Sequence, residues 1–370
     1  MNYLNALILL FTFFVIIYII YSIYSKKQIY QLHYNKTSDK ETCEEGFLND
    51  KDSEVKSVSY NTTGSGISNY NGETLYPLKE YIIKSSYNSA VSGDYVSTDM
   101  IRYVLSRGCR FLDFEVVILD NNVPYVAITS DKNYEIIDTS NKLLLDNALG
   151  SVVSYGFAPP SPCPKDPIFV HIRLKCKDED LPKALRAVAK SVDYGLKNRL
   201  YPGKITNKTT LNEIMGQVVL IFDNTVHTNY IEKGKCSTNE ANCYDISKQV
   251  NINNGPLLQK MKFLEFSEGN GYINKPKLTN DNNETNVEQM VICVPEYYSK
   301  NIDGASYFTS NYVENVNILN YIDKYGVQML CYRYYQRDEK LNDCEDFFKH
   351  HQSAIVPMYI ALSYIKRLTE

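Results

Sequence analysis

Asp113 and Glu115 stand two residues apart in Arg110 to Leu119 (RFLDFEVVIL), a run that is otherwise mostly apolar. His171, Arg173 and Lys175 are spaced the same way in Ile168 to Lys175 (IFVHIRLK). Side chains of a strand alternate between its faces, so each polar set shares one face and leaves the other apolar. The apolar faces hold Leu112, Phe114, Val116 and Ile118 in the first run, and Ile168, Val170, Ile172 and Leu174 in the second. A third run, Gln217 to Asp223 (QVVLIFD), sets Val218, Leu220 and Phe222 against Gln217 and Asp223. Acids and cations brought together this way can do one of two things. They can neutralise one another as an internal salt-bridge cluster, or they can form a remodelled ligand site. The plainest alternative is that some of these residues are the solvent face of an edge strand.

The elements that must position them follow from the texture of the chain. From about Leu75 onward, short apolar strand-like runs alternate with amphipathic helical stretches such as Asp180 to Asn198, the pattern of βα units and a parallel sheet. A TIM-type (β/α) barrel explains the alternation: apolar faces pack under the helices, and polar residues near strand ends point into the mouth, where barrel enzymes place their sites. The fold class expected is therefore α/β, a barrel preceded by one transmembrane helix. Leu4 to Tyr24 supplies that helix, about 21 uncharged and mostly apolar residues, long enough for a ~30 Å hydrocarbon core. No Lys or Arg precedes the span and no small-residue cleavage site follows it, so it reads as a retained anchor rather than a signal peptide. Lys26, Lys27 and Lys36 behind it place the barrel on the cytosolic side. Sequons at Asn35, Asn61, Asn207 and Asn283 point the other way, and in an Asn-rich chain they read as chance. Residues 26–75 are polar and read as a flexible stalk.

Lys plus Arg total 39 and Asp plus Glu 43, a net charge of −4 that gives no electrostatic case for a nucleic-acid partner. The nine cysteines form no zinc-like pair; Cys236 and Cys243 could close a small loop, and the rest read as mostly free, buried thiols. His350-His351 lacks the spacing of a metal site.

The run Pro77-Leu-Lys-Glu-Tyr-Ile-Ile-Lys-Ser-Ser-Tyr-Asn-Ser-Ala90, then Ser92-Gly-Asp94 and Tyr103-Val-Leu-Ser-Arg-Gly-Cys-Arg-Phe-Leu-Asp-Phe-Glu115, resembles the start of the catalytic X region of phosphoinositide-specific phospholipase C. Gly326-Val-Gln-Met-Leu-Cys-Tyr-Arg-Tyr-Tyr-Gln336, Ser310-Asn-Tyr312 and Phe266-Ser-Glu268 look like its Y region. The resemblance implies a distorted barrel cleaving inositol phospholipids with two histidines and a bound calcium. It divides the chain into an anchor (1–25), the stalk (26–75) and a barrel (76–370). The barrel comprises an X-like part (76–224), a linker (225–256), a Y-like part (257–358) and a C-terminal helix (359–370).

Carried over residue by residue, the resemblance shows where this chain departs. The two histidine positions are Tyr87 and Ile128. Of the calcium ligands, Asn88 keeps the amide, Asp113 and Glu115 keep two carboxylates with their lengths exchanged, and the third carboxylate position is Arg173. A guanidinium there changes the local charge by two units and should pair with Asp113 and Glu115. The phosphate-binding lysine positions are Ile221 and Asp223, the arginine position is Ile292, and Ser267 is kept. Tyr87 reads as a packing aromatic, since a phenol of pKa near 10 suits neither histidine role. Tyr297, Tyr298, Tyr307 and Phe308 could touch a bilayer.

These residues imply a pseudoenzyme: a membrane-anchored barrel without catalytic histidines or a working metal, serving as a structural or binding module. Its cofactor is none, and its partners are the bilayer with a phospholipid headgroup or a protein. The vestigial pocket is Lys175, Asp223, Ser267 and Ile292. The rival reading is an active phosphodiesterase in which His171 or Tyr87 has taken over and calcium binds Asn88, Asp113 and Glu115. The Tyr-, Asn- and Lys-rich composition fits an A+T-rich genome such as that of a large DNA virus, where the barrel would face the cytosol or the capsid.

Overall fold

The computed structural model describes residues 54–59, 64–119, 122–236, 243–263, 265, 274, 276, 277, 285–295 and 315–370. The membrane span expected at Leu4 to Tyr24 lies outside them. Among the described residues no helix is long and apolar enough to cross a membrane.

Eight parallel strands stand side by side in the order β8-β7-β6-β3-β2-β11-β10-β9. In chain order these are β2 (Ser85–Ser86), β3 (Phe111–Leu119), β6 (Ile168–Lys175), β7 (Val218–Phe222), β8 (Ile252–Asn253), β9 (Leu258–Lys262), β10 (Met290–Val294) and β11 (Met329–Tyr332). Strands β4 (Val123–Val126) and β5 (Leu143–Leu144) extend β3 as an antiparallel flap, and β1 (Tyr81–Ile83) pairs with β12 (Ile355–Pro357). The helices are α1 (Thr98–Ser106), α2 (Leu145–Gly156), α3 (Leu181–Leu196), α4 (Tyr230–Gly234), α5 (Ile246–Gln249), α6 (Ile318–Tyr325), α7 (Glu339–His350) and α8 (Met358–Thr369). Their ends carry ordinary stop and start chemistry. Ser97 and Asp338 accept N–H bonds in the first turns of α1 and α7, and Gly326 closes α6 at φ +62°, a left-handed conformation that suits glycine.

Strand alternation sorts the side chains into two cores. Leu112, Phe114, Val116, Val170, Ile172, Leu174, Leu220 and Phe222 join the helices in the outer layer. Phe111, Phe169, Val219, Ile221, Leu258 and Ile292 fill the barrel interior. The interior set has the same parity as Asp113, Glu115, His171, Arg173, Asp223, Lys260 and Lys262, so the polar ends of these strands meet above an apolar plug. A barrel packed this way is solid below and chemically open only at its C-terminal mouth.

Two segments are more ordered than their composition implies. The stalk expected over 26–75 does not persist through its described residues. A short helix over 54–59 buries Val58, and Glu54 accepts hydrogen bonds from Ser92 Oγ (2.9 Å) and the N–H of Asp94 (3.0 Å). Ile67 is buried, and Ser68 N–H bonds to Gln352 O at 3.0 Å. The apolar residues are few but spaced to reach the barrel. The linker expected over 225–256 likewise contains α4, α5 and β8, because Tyr230, Ile246 and Val250 enter the outer core. A disulfide joins Cys236 to Cys243 within this segment, and the other described cysteines are free and buried.

The docked segment carries one pH-sensitive contact. Asp166 Oδ1 accepts the Tyr70 N–H at 2.9 Å, and the carboxyl is fully buried. Burial pushes its pKa from 3.8 up to about 6, against the pull of the Tyr70 N–H and Arg110. The folded state therefore holds this proton more tightly than the unfolded chain does. Stability from Asp166 is complete below pH ~4 and is lost as pH rises through ~6, with a slope of at most about 1.4 kcal/mol per pH unit. In urea titrations between pH 4 and 7, Asp166→Asn should flatten that dependence; an unchanged profile would show that Asp166 does not titrate in this window.

Candidate functional site

The register of β3 against β6 brings the acids and cations together, with Asp113 opposite His171, Glu115 opposite Arg173 and Val117 opposite Lys175. Arg173 is 5% exposed and Asp113 and Glu115 are at 0% and 1%, so the pairing takes place out of water. Arg173 Nε donates to Asp113 Oδ1 (2.9 Å), Nη2 to Asp113 Oδ2 (3.0 Å) and Nη1 to Glu115 Oε2 (2.7 Å). Nη2 also donates to Asn88 Oδ1. Asn88 reaches this position with φ at +45°, a left-handed backbone that Asn tolerates better than most residues, and its own N–H donates to Asp113 Oδ2 at 3.1 Å. The remaining Glu115 oxygen accepts the Thr129 N–H at 2.9 Å. This geometry is the bidentate pairing that a guanidinium fork favours.

Tyr87 lies against the same group, with the Arg173 guanidinium carbon 4.8 Å from its ring centre. It is buried as a packing aromatic, and burial raises its phenol pKa even though Arg173 pulls it down. Ile128 belongs to the outer core. His171 is fully buried, with Nδ1 2.8 Å from Asp113 Oδ1 and its ring 5.7 Å from that of Phe111. It does not line the mouth cavity. Burial alone would push Asp113 up, but Arg173 and His171 hold its carboxyl well below the usual range. Arg173 is itself held charged, burial being outweighed by Asp113, Tyr87 and Glu115.

The phosphate-contact positions are divided. Ile221 and Ile292 are in the interior core. Asp223 accepts from Thr225 N–H (3.0 Å), Thr225 Oγ1 (2.6 Å), Asn254 Nδ2 (3.1 Å) and Lys260 Nζ. Burial works against that carboxylate and Lys260 more than offsets it, so its pKa is lowered. Ser267, Tyr297, Tyr298, Tyr307 and Phe308 lie outside the described residues. Lys260 and Lys262 stand outside the expected set, and both line the mouth cavity. Their signal is the period-two alternation of Leu258, Lys260 and Lys262, which repeats the apolar-then-charged pattern of the other strands.

Calcium is the ion the resemblance implies, and the residues present do not fit it. Calcium takes six to eight oxygen ligands. Here the carboxylates of Asp113 and Glu115 and the amide oxygen of Asn88 are already bonded to a fixed cation. Among the described residues no group of three or more His, Cys, Asp or Glu side chains is arranged to hold a metal.

Parallel strands, an apolar interior and a charged C-terminal mouth define an α/β barrel of the TIM type. Comparison with known proteins narrows that class. Residues 75–222 match the family model of the phosphatidylinositol-specific phospholipase C X domain. The fold is also similar to squid L. pealei PLC21 (14% identity, TM-score 0.54) and cuttlefish S. officinalis PLC21 (15%, 0.55). These likenesses cover 80% and 84% of this chain but only 39% and 40% of those proteins, so the chain spans about 40% of their length. A calcium-dependent phosphoinositol-specific phospholipase C from Pseudomonas sp. aligns over 80% of this chain and all of its own, with 12% identity and a TM-score of 0.44. No curated protein sequence matches the chain significantly.

Proposed function

We propose that this chain is a membrane-tethered phospholipase C-like barrel without catalytic activity, acting as a binding module for a phospholipid headgroup at the bilayer surface. The observation that carries the proposal is Arg173 bonded to Asp113, Glu115 and Asn88 at once, with Tyr87 packed on its face. The two histidine positions the resemblance implies hold Tyr87 and Ile128, and a fixed cation takes up the carboxylates a metal would need. His171 offers no substitute base at the mouth, since it is fully buried and does not line the cavity. The apolar run Leu4 to Tyr24 would hold the barrel at the membrane, with the lysines behind it favouring the cytosolic side.

A single general acid or base contributes about 10²–10⁴-fold in rate, so losing both leaves essentially no turnover by the family's route. Full-length protein given labelled phosphatidylinositol in mixed micelles should release neither inositol phosphate nor diacylglycerol above the level of an Asp113→Ala variant, with calcium or with EGTA. Release that Asp113→Ala abolishes would establish an enzyme instead.

A further inference from the structure

We infer that Cys176 is a covalent acyl-acceptor site, a thiol served by His227 and Asp178 that takes an acyl group from an acyl thioester. The site belongs to the outer side of the barrel wall. Its cavity has no lining residue in common with the mouth.

Topology brings the three residues together. Cys176 directly follows β6, continues the parity of Ile172 and Leu174, and so joins the outer core rather than the face of Arg173 and Lys175. Asp178 stands two residues further on, in the turn that leads into α3. His227 comes from the segment after β7, which pairs in parallel with β6, so both segments leave the same end of the sheet. Cys176 Sγ is 3.6 Å from His227 Nε2, and His227 Nδ1 is 3.4 Å from Asp178 Oδ1. A thiol beside one imidazole nitrogen, with a carboxylate facing the other, is the arrangement that activates a weak nucleophile.

The resting protonation states suit that arrangement. Burial pushes the Cys176 thiol from 9.0 up to about 12, and Asp180 and Asp178 add to the rise, so the group is protonated and needs a base at hand. Burial pulls His227 down, and Lys175 adds to the fall, against the opposing pull of Asp178 and Asp223. The imidazole is therefore neutral at pH 7. A proton on Nδ1 facing Asp178 leaves Nε2 as the nitrogen that accepts from the thiol.

Cys176 opens onto a cavity of about 520 Å³ whose lining includes Ile118, Leu119 and Ile137, side chains that suit an aliphatic acyl chain. The N-terminus of α3 borders the same cavity through Asp180, its N-cap residue, which makes no side-chain cap. The helix's first N–H groups carry partial positive charge, which favours the oxyanion formed when a carbonyl is attacked. In the transfer, Cys176 Sγ attacks the thioester carbonyl, a new S–C bond forms, and the thiol proton passes to His227 Nε2. The bond to the donor's sulfur then breaks, and the donor leaves as a free thiol carrying the proton from His227. One thioester is exchanged for another, so no oxidant or reductant takes part. Cys176 is 4% exposed, which shields the new thioester from water and makes the site an acceptor rather than a hydrolytic centre.

The test incubates the full-length chain in detergent micelles with octanoyl-coenzyme A, following the free thiol released and the masses of the cysteine peptides. A Cys43→Ser background removes the thiol outside the described residues. Release should plateau near about one equivalent per chain, with the octanoyl group on Cys176 and not on Cys109, Cys163, Cys293, Cys331 or Cys344. His227→Gln should slow the transfer by about 10²-fold or more, the worth of a general base. Because replacing a buried histidine can disturb folding, selectivity among the six free cysteines of the otherwise native chain is the primary readout and needs no variant at the site. Acylation absent from Cys176, spread evenly over the six, or unchanged in a folded His227→Gln would overturn the inference and leave the non-catalytic reading of the mouth intact. Thiol release that continues without a plateau would also overturn it, since Cys176 would then be passing the acyl group on to water.

Discussion

Arg173→Met is expected to lower the stability of the folded barrel by about 3–5 kcal/mol, the range found when one partner of a buried ion pair is removed. The size of the effect comes from what stays behind. Asp113 and Glu115 are essentially inaccessible to water, and Arg173 supplies each with a charge-assisted hydrogen bond. Without it two like charges stand two residues apart on one face of β3, and one of them must take up a proton. The Asp113 carboxyl, now held below the usual range by Arg173 and His171, should rise accordingly. In the wild type its contribution is complete above the unfolded value of 3.8 and fades as pH falls below it. In the variant a carboxyl raised above that value reverses the sign, so its protonated form favours folding and stability should fall as pH rises from 5 to 7. Urea denaturation of the two proteins at pH 5 and pH 7 reads both effects. Replacing Arg173, Asp113 and Glu115 together by apolar residues of similar volume should recover much of the loss, since exchanging a whole buried cluster is often close to neutral. If Arg173→Met alone were neutral, the pairing would not hold the mouth together.

Arg173→Glu should produce the opposite chemistry at the same place. The substitution restores a third acid beside Asp113, Glu115 and the Asn88 amide, an oxygen-rich set that suits a hard divalent cation. Without metal it should be less stable than the wild type, because three carboxylates would crowd one buried space. Calcium should then stabilise it, by about 2.7 kcal/mol at a free concentration 100 times the dissociation constant. Thermal melts with calcium and with EGTA measure the difference, and magnesium serves as the control for an unspecific charge effect. A variant that melts identically in both would mean that the arginine is not what keeps the ion out. Hydrolysis is not expected to return, since Tyr87 and Ile128 still stand at the histidine positions.

Much of this site was legible before the fold was known, and the reason is periodicity. The strand Ile168–Lys175 has the bounds its alternation predicts, and that alternation alone puts Arg173 and Lys175 on the face of Asp113 and Glu115. What alternation cannot supply is the distance between two strands, and that depends on the register of β3 against β6. Lys260 and Lys262 were missed for a different reason. The resemblance points to Ile221, Asp223 and Ile292 for cations, whereas the lysines lining the mouth cavity here stand on β9, where Leu258 enters the interior core and the two lysines follow it on the same face. The ordered part of the stalk was obscured by composition. One apolar residue in its short helix, Val58, and one carboxylate, Glu54, make the contacts, and a polar average conceals both. The buried residues of the linker segment, Tyr230, Ile246 and Val250, are likewise scattered among Asn, Lys and Thr.

At the centre of the account is a substitution of charge: a guanidinium fixed by Asp113, Glu115 and Asn88 stands where the resemblance puts a calcium ion. Calorimetric titration of calcium into the full-length wild-type protein, at neutral pH and low ionic strength, addresses it most directly. No heat beyond dilution is expected up to millimolar calcium. A saturable site of micromolar affinity, lost in an Asp113→Asn variant, would contradict it.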